Sequence, residues 1–417
     1  MMNSYRFARL SWILVSELIA VTLSGCRRED GTGLYSIADS AGVEIVTNHS
    51  PMWSEADAWS VDPDPALSIG AVAGDPAHEL YRVTGAVRLS DGTIAVLSSG
   101  SHELRLYDPA GRHLRSVGGE GEGPGKFQSP LGLYSLAGDT VVVWDARQRR
   151  VSFFDRAGEY VRSFTLPPGN NLWQVQDLFD DRTLLATATI RSASGDESGP
   201  RRAENLYAVF DLEGDSIATL GLFPDGDQYS GSSQGWVVLV AQVFGRTTHV
   251  AAHGTALYVG TNDANAIDQY VNQPVGLPDG GETVLAYGRL VRSIRRDTVV
   301  PVTAAMFAAE RDAQLDAREE GIRELYEPVM AEMPQPGTLP YYSAIETDAD
   351  ANVWVRHYSC RTMPSFEWTV FDPQGRMLGD VMLPERFDVY EIGGDYVLGR
   401  WRDEANVEYV HLHRLSK

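Results

Sequence analysis

Ser90-Asp91-Gly92-Thr93-Ile94-Ala95-Val96 reads as a tight turn, a small polar residue and then a β-branched run. The phrase returns as Ala137-Gly138-Asp139-Thr140-Val141-Val142-Val143, Asp180-Asp181-Arg182-Thr183-Leu184-Leu185, His253-Gly254-Thr255-Ala256-Leu257-Tyr258-Val259, Asp350-Ala351-Asn352-Val353-Trp354-Val355 and Gly393-Gly394-Asp395-Tyr396-Val397-Leu398. Aligned on Thr93, Thr140, Thr183, Thr255, Asn352 and Asp395, the copies lie 47, 43, 72, 97 and 43 residues apart. That is a period of about 45 carrying two insertions, the mark of stacked four-stranded units that cannot bury a core alone.

A second turn recurs in the same register: Tyr107-Asp108-Pro109-Ala110-Gly111, Phe154-Asp155-Arg156-Ala157-Gly158, Phe210-Asp211-Leu212-Glu213-Gly214 and Phe371-Asp372-Pro373-Gln374-Gly375. Asp accepts nearby backbone N–H groups and Gly supplies positive φ, so these are hairpin turns between the third and fourth strands of each unit. The first phrase is then the turn between the first and second strands. The expectation is an all-β chain, a six-bladed β-propeller of four-stranded antiparallel blades; a two-sheet sandwich is the competing fold.

Through Leu104-Arg105-Leu106-Tyr107-Asp108, Arg115-Ser116-Val117-Gly118-Gly119 and Gly121-Glu122-Gly123-Pro124-Gly125-Lys126-Phe127 to Pro130, the chain resembles the NHL-repeat family of six-bladed propellers. The likeness is good over the first two blades and loose over the third, fifth and sixth. It is poor over the fourth, where Ile267-Asp268-Gln269-Tyr270 lacks the family's turn. More narrowly, the chain is similar to six-bladed propeller lipoproteins of bacteria. The resemblance implies a fold, and that fold hosts binding modules and enzymes alike.

The start of the chain predicts where it works. Arg6 and Arg9 precede an apolar stretch over residues 10–23, interrupted by Glu17, and Leu23-Ser24-Gly25-Cys26 fits a lipobox whose Cys26 would carry lipid. The stretch is too short for a transmembrane helix. The expected organisation is a lipoprotein signal peptide at 1–26, a tether at 27–41 and a propeller at 42–417. The expected location is extracytoplasmic, lipid-anchored to a bacterial membrane in the periplasm or at the cell surface. With Cys26 lipidated, Cys360 has no intramolecular partner.

Net charge is -22, and such a surface repels nucleic acid and anionic headgroups, so the lipid must supply the membrane affinity. The sixth blade ends at the C-terminus with too few residues for a fourth strand, and an open ring would leave an unpaired edge. Residues 66–69 are the expected closing strand, with 42–46 as a further strand or the start of the same closure.

Several motifs invite a chemical reading and fail on context. The glycine-rich run at 118–125 contains Glu120 and Glu122 and leads to a strand, which argues for an inter-blade link over a phosphate loop. Gly231-Ser232-Ser233-Gln234-Gly235 matches a hydrolase pattern, but a strand follows it where the nucleophile elbow needs a helix. Asp348-Ala349-Asp350-Ala351-Asn352 starts like a calcium loop, yet Val353 replaces the required glycine and Ser359 the bidentate Glu. No histidine spacing predicts a metal centre, and no motif supports a cofactor or an axial divalent ion.

Position carries the remaining signal. In a propeller the loops between second and third strands share one face with the links between blades. Here that face collects Arg147, Arg149, Arg150, Arg191, Arg361, Arg400 and Arg402, with His102, Arg356 and His357 in or beside the loops. They are either solvated rim arginines paired with acids such as Asp145 and Asp403, or a basic funnel for a carboxylate, phosphate or sugar acid. On the second reading Arg147, Arg191, Arg356, His357 and Arg402 line one cleft. Residues 302–332, between blades four and five, carry Leu315, Ile322, Leu325, Tyr326, Val329 and Met330 at helical spacing between Pro301 and Pro334. This insertion is read as a lid, a structural plug or a partner-docking helix. The functional expectation is a binding or interaction propeller, with a small anionic ligand or a protein as partner. The alternative is a hydrolase or lyase acting on a small anionic substrate at the axial pocket.

Overall fold

A computed structural model describes residues 28–29, 33–54, 56–167, 173–179, 182–190, 198–275 and 284–417. The chain is mostly β, organised in six sheets among the described residues. Sheet 1 holds Val83–Arg88, Ile94–Ser98, Glu103–Tyr107 and His113–Gly118 in simple antiparallel order. Sheet 2, Pro130–Leu136 to Tyr160–Thr165, repeats it. Both families of turn fall between the strands they are expected to join.

Each sheet packs on the next through a separate apolar cluster. Val141 and Val143 face sheet 1, while Val142 and Trp144 face sheet 3. Strands buried on both faces read as unbroken apolar runs, which is why Val-Val-Val-Trp shows no alternation. Similar clusters join sheets 3 and 4, 4 and 5, 5 and 6, and then 6 back to 1. The arrangement is consistent with a β-propeller.

Sheet 6 contributes Phe387–Ile392, Tyr396–Arg402 and Glu408–Ser416, and Leu67–Ile69 pairs antiparallel with the last of these, as the closing expectation requires. Ser60–Val61 pairs further along the same strand. Residues 42–46 go elsewhere. Val43–Asn48 lies parallel to Val284–Arg296 on the outer edge of sheet 4, so it takes no part in closing sheet 6. Tyr35–Ser40, expected in the tether, pairs with Val43–Asn48 and is a strand. Between these two attachments the chain crosses sheet 5, where Met52 and Trp53 donate N–H bonds to the carbonyls of Met377 and Leu378. A Cβ at Gly379 would lie 2.3 Å from the Trp53 ring, so glycine there lets the segment lie flat.

The two insertions belong together. Sheet 3 gains a fifth strand because Gly199–Phe210 and Ser216–Ser233 are long and Trp236–Ala241 folds back on the latter. The other insertion forms two helices, α1 (Ala304–Asp316) and α2 (Glu320–Ala331). Thr303 caps α1 by accepting the Met306 N–H. Phe307, Leu315, Val329, Met330 and Met333 meet Tyr229, Val238, Val240 and Phe244 of the sheet 3 hairpin, with Cys360 of sheet 5, in one core. Gly231 admits α2 closely, since a Cβ there would meet Val329 Cγ1 at 2.8 Å. Ile322 is exposed because the chain turns at residues 317–319, which breaks the helical phase extrapolated from Leu315.

Candidate functional site

Two cavities lie at opposite ends of the ring. At the end formed by the turns between first and second strands, a cavity of about 360 Å³ is lined by the innermost strands of all six sheets, among them Val87, Leu133, Asp177, Ala252, Glu346 and Tyr390. It is acidic. Asp177 accepts the N–H groups of Ala252 at 2.7 Å and Leu178 at 2.8 Å, yet burial outweighs both and pushes its carboxyl up to about 6. Burial, and then the charge of Asp177, push Glu346 up to about 8. Burial also raises Glu391, opposed by bonds from Tyr396 Oη at 2.6 Å and the Arg88 N–H at 2.7 Å. Among the described residues no three His, Cys, Asp or Glu side chains come together as metal ligands.

At the other end, where the inter-sheet links run, a cleft of about 400 Å³ opens between sheets 4 and 5. Ile267, Ile294, Val355 and Phe371 give it an apolar wall, and Arg296, His357 and Glu367 supply charge. The stems of the helical insertion, Val300 and Leu339–Tyr341, line its rim. His357 Nε2 sits 2.8 Å from Thr369 Oγ1, Arg296 Nη1 donates to that hydroxyl at 2.8 Å, and the hydroxyl donates to Asp380 Oδ1 at 2.5 Å. Burial pushes the Asp380 carboxyl up, but bonds from His357 and Thr369 and the charges of His357 and Arg296 hold it below its ordinary value. His357 Nδ1 faces Glu367 at 3.4 Å. Arg295 is exposed, and its Nε bonds Ser293 Oγ on the face of the strand opposite Ile294 and Arg296.

Of the five residues expected to share a cleft, only His357 lines this one. Strand parity separates its neighbour: Val353 and Val355 face sheet 4 with His357, whereas Arg356 lies on the side of Trp354, which faces sheet 6. Arg402 sits on sheet 6 with Asp388 at 3.1 Å and Glu408 at 3.7 Å, beside Arg400, which donates to the Val83 carbonyl of sheet 1. Arg147 is exposed on a loop of sheet 2. Arg191 and Cys26 lie outside the described residues. Sequence reading missed Arg296, although this residue begins a link on the face singled out from the sequence. Arg150 is spoken for, since its guanidinium donates to the carbonyls of Glu122, Gly123 and Lys126 and shapes the glycine-rich link.

The rejected motifs behave as expected. Gln234 and Gly235, with φ of 51° and 82°, form a two-residue hairpin turn between Ser233 and Trp236. Asp348 is saturated: it accepts from the N–H groups of Asp350 and Asn352, the Trp354 indole and Lys417 Nζ.

No protein-family model matches the chain, and no curated protein matches it. Solved structures of similar shape exist. A putative exported protein from Bacteroides fragilis aligns at TM-score 0.46 and 13% identity, covering 89% of this chain and 99% of its own. Virginiamycin B lyase from Staphylococcus aureus aligns at 0.37 and 9%, covering 86% and 100%. A calcium-binding regucalcin from Agrobacterium tumefaciens aligns at 0.37 and 10%, covering 81% and 92%. These neighbours are propeller-like. At such identities and scores they carry nothing about ligand or chemistry, which must be argued from this chain's own residues.

Proposed function

We propose that this chain is a six-bladed, NHL-like propeller, anchored outside the cytoplasm by lipid on Cys26, that binds a small organic anion in the cleft between sheets 4 and 5. The observation that carries the reading is the convergence of Arg296 and His357 on one half-apolar cavity in a chain of net charge -22. Arg296 is fixed in place by Thr369, so its guanidinium is preorganised. Its planar fork suits a carboxylate or phosphate. Glu367 on the opposite wall limits the excess positive charge and favours a ligand that also presents a donor.

The alternative, a hydrolase or lyase at the axis, rests on Asp177 and Glu346, whose raised carboxyls suit proton transfer near neutrality. An anionic substrate would meet three acids there, which is why the cleft is preferred. Calorimetric titration with a panel of small carboxylates and phosphates tests the choice. Arg296→Ala is expected to lower affinity about ten-fold, with binding that weakens as salt rises. Ligand affinity untouched by Arg296→Ala but lost in Glu346→Gln would move the site to the axis. Cys26→Ala is expected to leave soluble protein of unchanged fold; sedimentation of that variant with membranes would remove the anchor from the proposal.

A further inference from the structure

Trp236–Ala241 is the fifth strand of sheet 3, and no other strand among the described residues pairs with its outer edge. The two-residue turn sets its register: Ser233 lies opposite Trp236, Gly231 opposite Val238 and Tyr229 opposite Val240. Residues flanking such a turn exchange backbone bonds, and bonded positions alternate along the strand. The N–H and C=O groups of Val237, Leu239 and Ala241 therefore point away from the sheet. Val238 and Val240 are buried in the core they share with α2, whereas Trp236, Val237 and Leu239 are 71%, 51% and 47% exposed.

Soluble proteins guard an edge of this kind with lysine, proline, a bulge or a covering element. This strand carries none of the first two and pairs without a register shift. From Tyr229 to Gly245 the chain has no charged residue, although it carries 57 acidic and 35 basic residues in all. The helices brace one face, so the edge is rigid, flat and apolar.

We propose that this edge pairs with the same edge of a second copy of the chain, antiparallel about a two-fold axis, joining two five-stranded sheets into one. The strand is self-complementary: an axis at Leu239 sets that residue against its counterpart and Val237 of each copy against Ala241 of the other. Two copies of an acidic protein repel across charged surface, and this uncharged edge is where that repulsion is least. An unrelated extended peptide is the competing occupant, and the register of cross-linking separates it from a second copy.

The experiment uses the full-length chain carrying Cys26→Ala in mild detergent, with Cys360 buried and out of reach. Two residue-239 Cα atoms in a bonded antiparallel pair lie about 5.5 Å apart, within disulfide range. Leu239→Cys is expected to oxidise to a covalent dimer, and Val238→Cys, whose side chain faces α2, to form no covalent cross-link. Sedimentation is expected to show a dimer for the parent and a monomer for Leu239→Lys, whose cooperative thermal transition shows that it is folded. Three outcomes overturn the proposal: a parent that is monomeric at its highest soluble concentration, a Leu239→Lys variant that remains a dimer, or equal cross-linking at 238 and 239. A monomeric parent that captures an extended peptide on this edge overturns it as well.

Discussion

The same N-terminal segment gives strands to two sheets, and the two gifts differ in kind. Sheet 6 has only three strands of its own, so Leu67–Ile69 completes it, and Ile69 is buried between sheets 6 and 1. Sheet 4 already has four strands, and Val43–Asn48 is added outside them in parallel orientation. The first attachment supplies a missing part of the repeat; the second clamps a finished one to its neighbour. Asn48 shows the clamp at work, accepting the Met377 N–H at 2.7 Å and donating to the Gly375 carbonyl at 2.9 Å, both on sheet 5. Closure should therefore govern the whole fold, and the clamp only a part of it.

The sharpest test is a pair of deletions. Removing residues 60–69 is expected to abolish the cooperative thermal transition and expose residues 385–417 to protease, because an inner sheet loses its edge and its contact with sheet 1. Removing residues 33–48 is expected to leave a folded ring with a lowered melting temperature. Equal damage from both would erase the distinction.

Acid should weaken closure, and also the contact of sheets 4 and 5, where burial pushes His249 down to about 4. His411 and His413 lie on Glu408–Ser416, the strand that receives Leu67–Ile69, buried beside Trp401 and Phe387, and His413 Nδ1 meets the Asp62 carbonyl at 2.9 Å. Burial, then the neighbouring His413, push His411 down to about 4; burial lowers His413 too, partly offset by Asp62. Both are neutral when folded and bind protons near pH 6.5 when unfolded, so stability is full above that pH and falls as pH drops toward 4. His411 alone is expected to account for about 3 kcal/mol across that window. Urea titrations between pH 4 and 7 should show the acid limb flatten in His411→Phe, and an unchanged limb would place the proton uptake elsewhere.

Smaller effects are expected at the clamp. Asn48→Ala leaves a buried carbonyl and N–H unpaired and is expected to lower stability by about 2 kcal/mol, measured by denaturant titration. Lys417→Met removes a cation that joins the last residue of the chain to Asp348 of sheet 5 at 3.0 Å and sits over Trp59. Asp348 keeps its other partners, so the expected loss is about 1 kcal/mol.

The repeat was legible because its turns use residues with few alternatives: Asp to accept backbone N–H groups and Gly to take positive φ, as at Gly111, Gly158, Gly214 and Gly375. The closing strand was legible by counting what sheet 6 lacked. The clamp was not, since a parallel pairing with Val284–Arg296 leaves no turn to read and nothing in Val43–Asn48 names its partner. Nor was the division between Arg356 and His357. Val353, Trp354 and Val355 are all buried, so the strand gives no alternation from which to tell its faces. The fused sheet 3 hairpin stayed hidden because Gly221, Pro224 and Gly226 read as breaks in what is one long strand.

The path of the N-terminal segment also sets an order of events. Tyr35–Ile69 is made first, but its partners at Val284–Arg296 and Glu408–Ser416 are made hundreds of residues later. Until those partners have been made these strands have nothing to pair with, and sheet 6 stays without its edge. Contacts this distant in the chain make for slow folding. The ring is thereby held back from closing too early, and becomes whole only after Glu408–Ser416 has arrived.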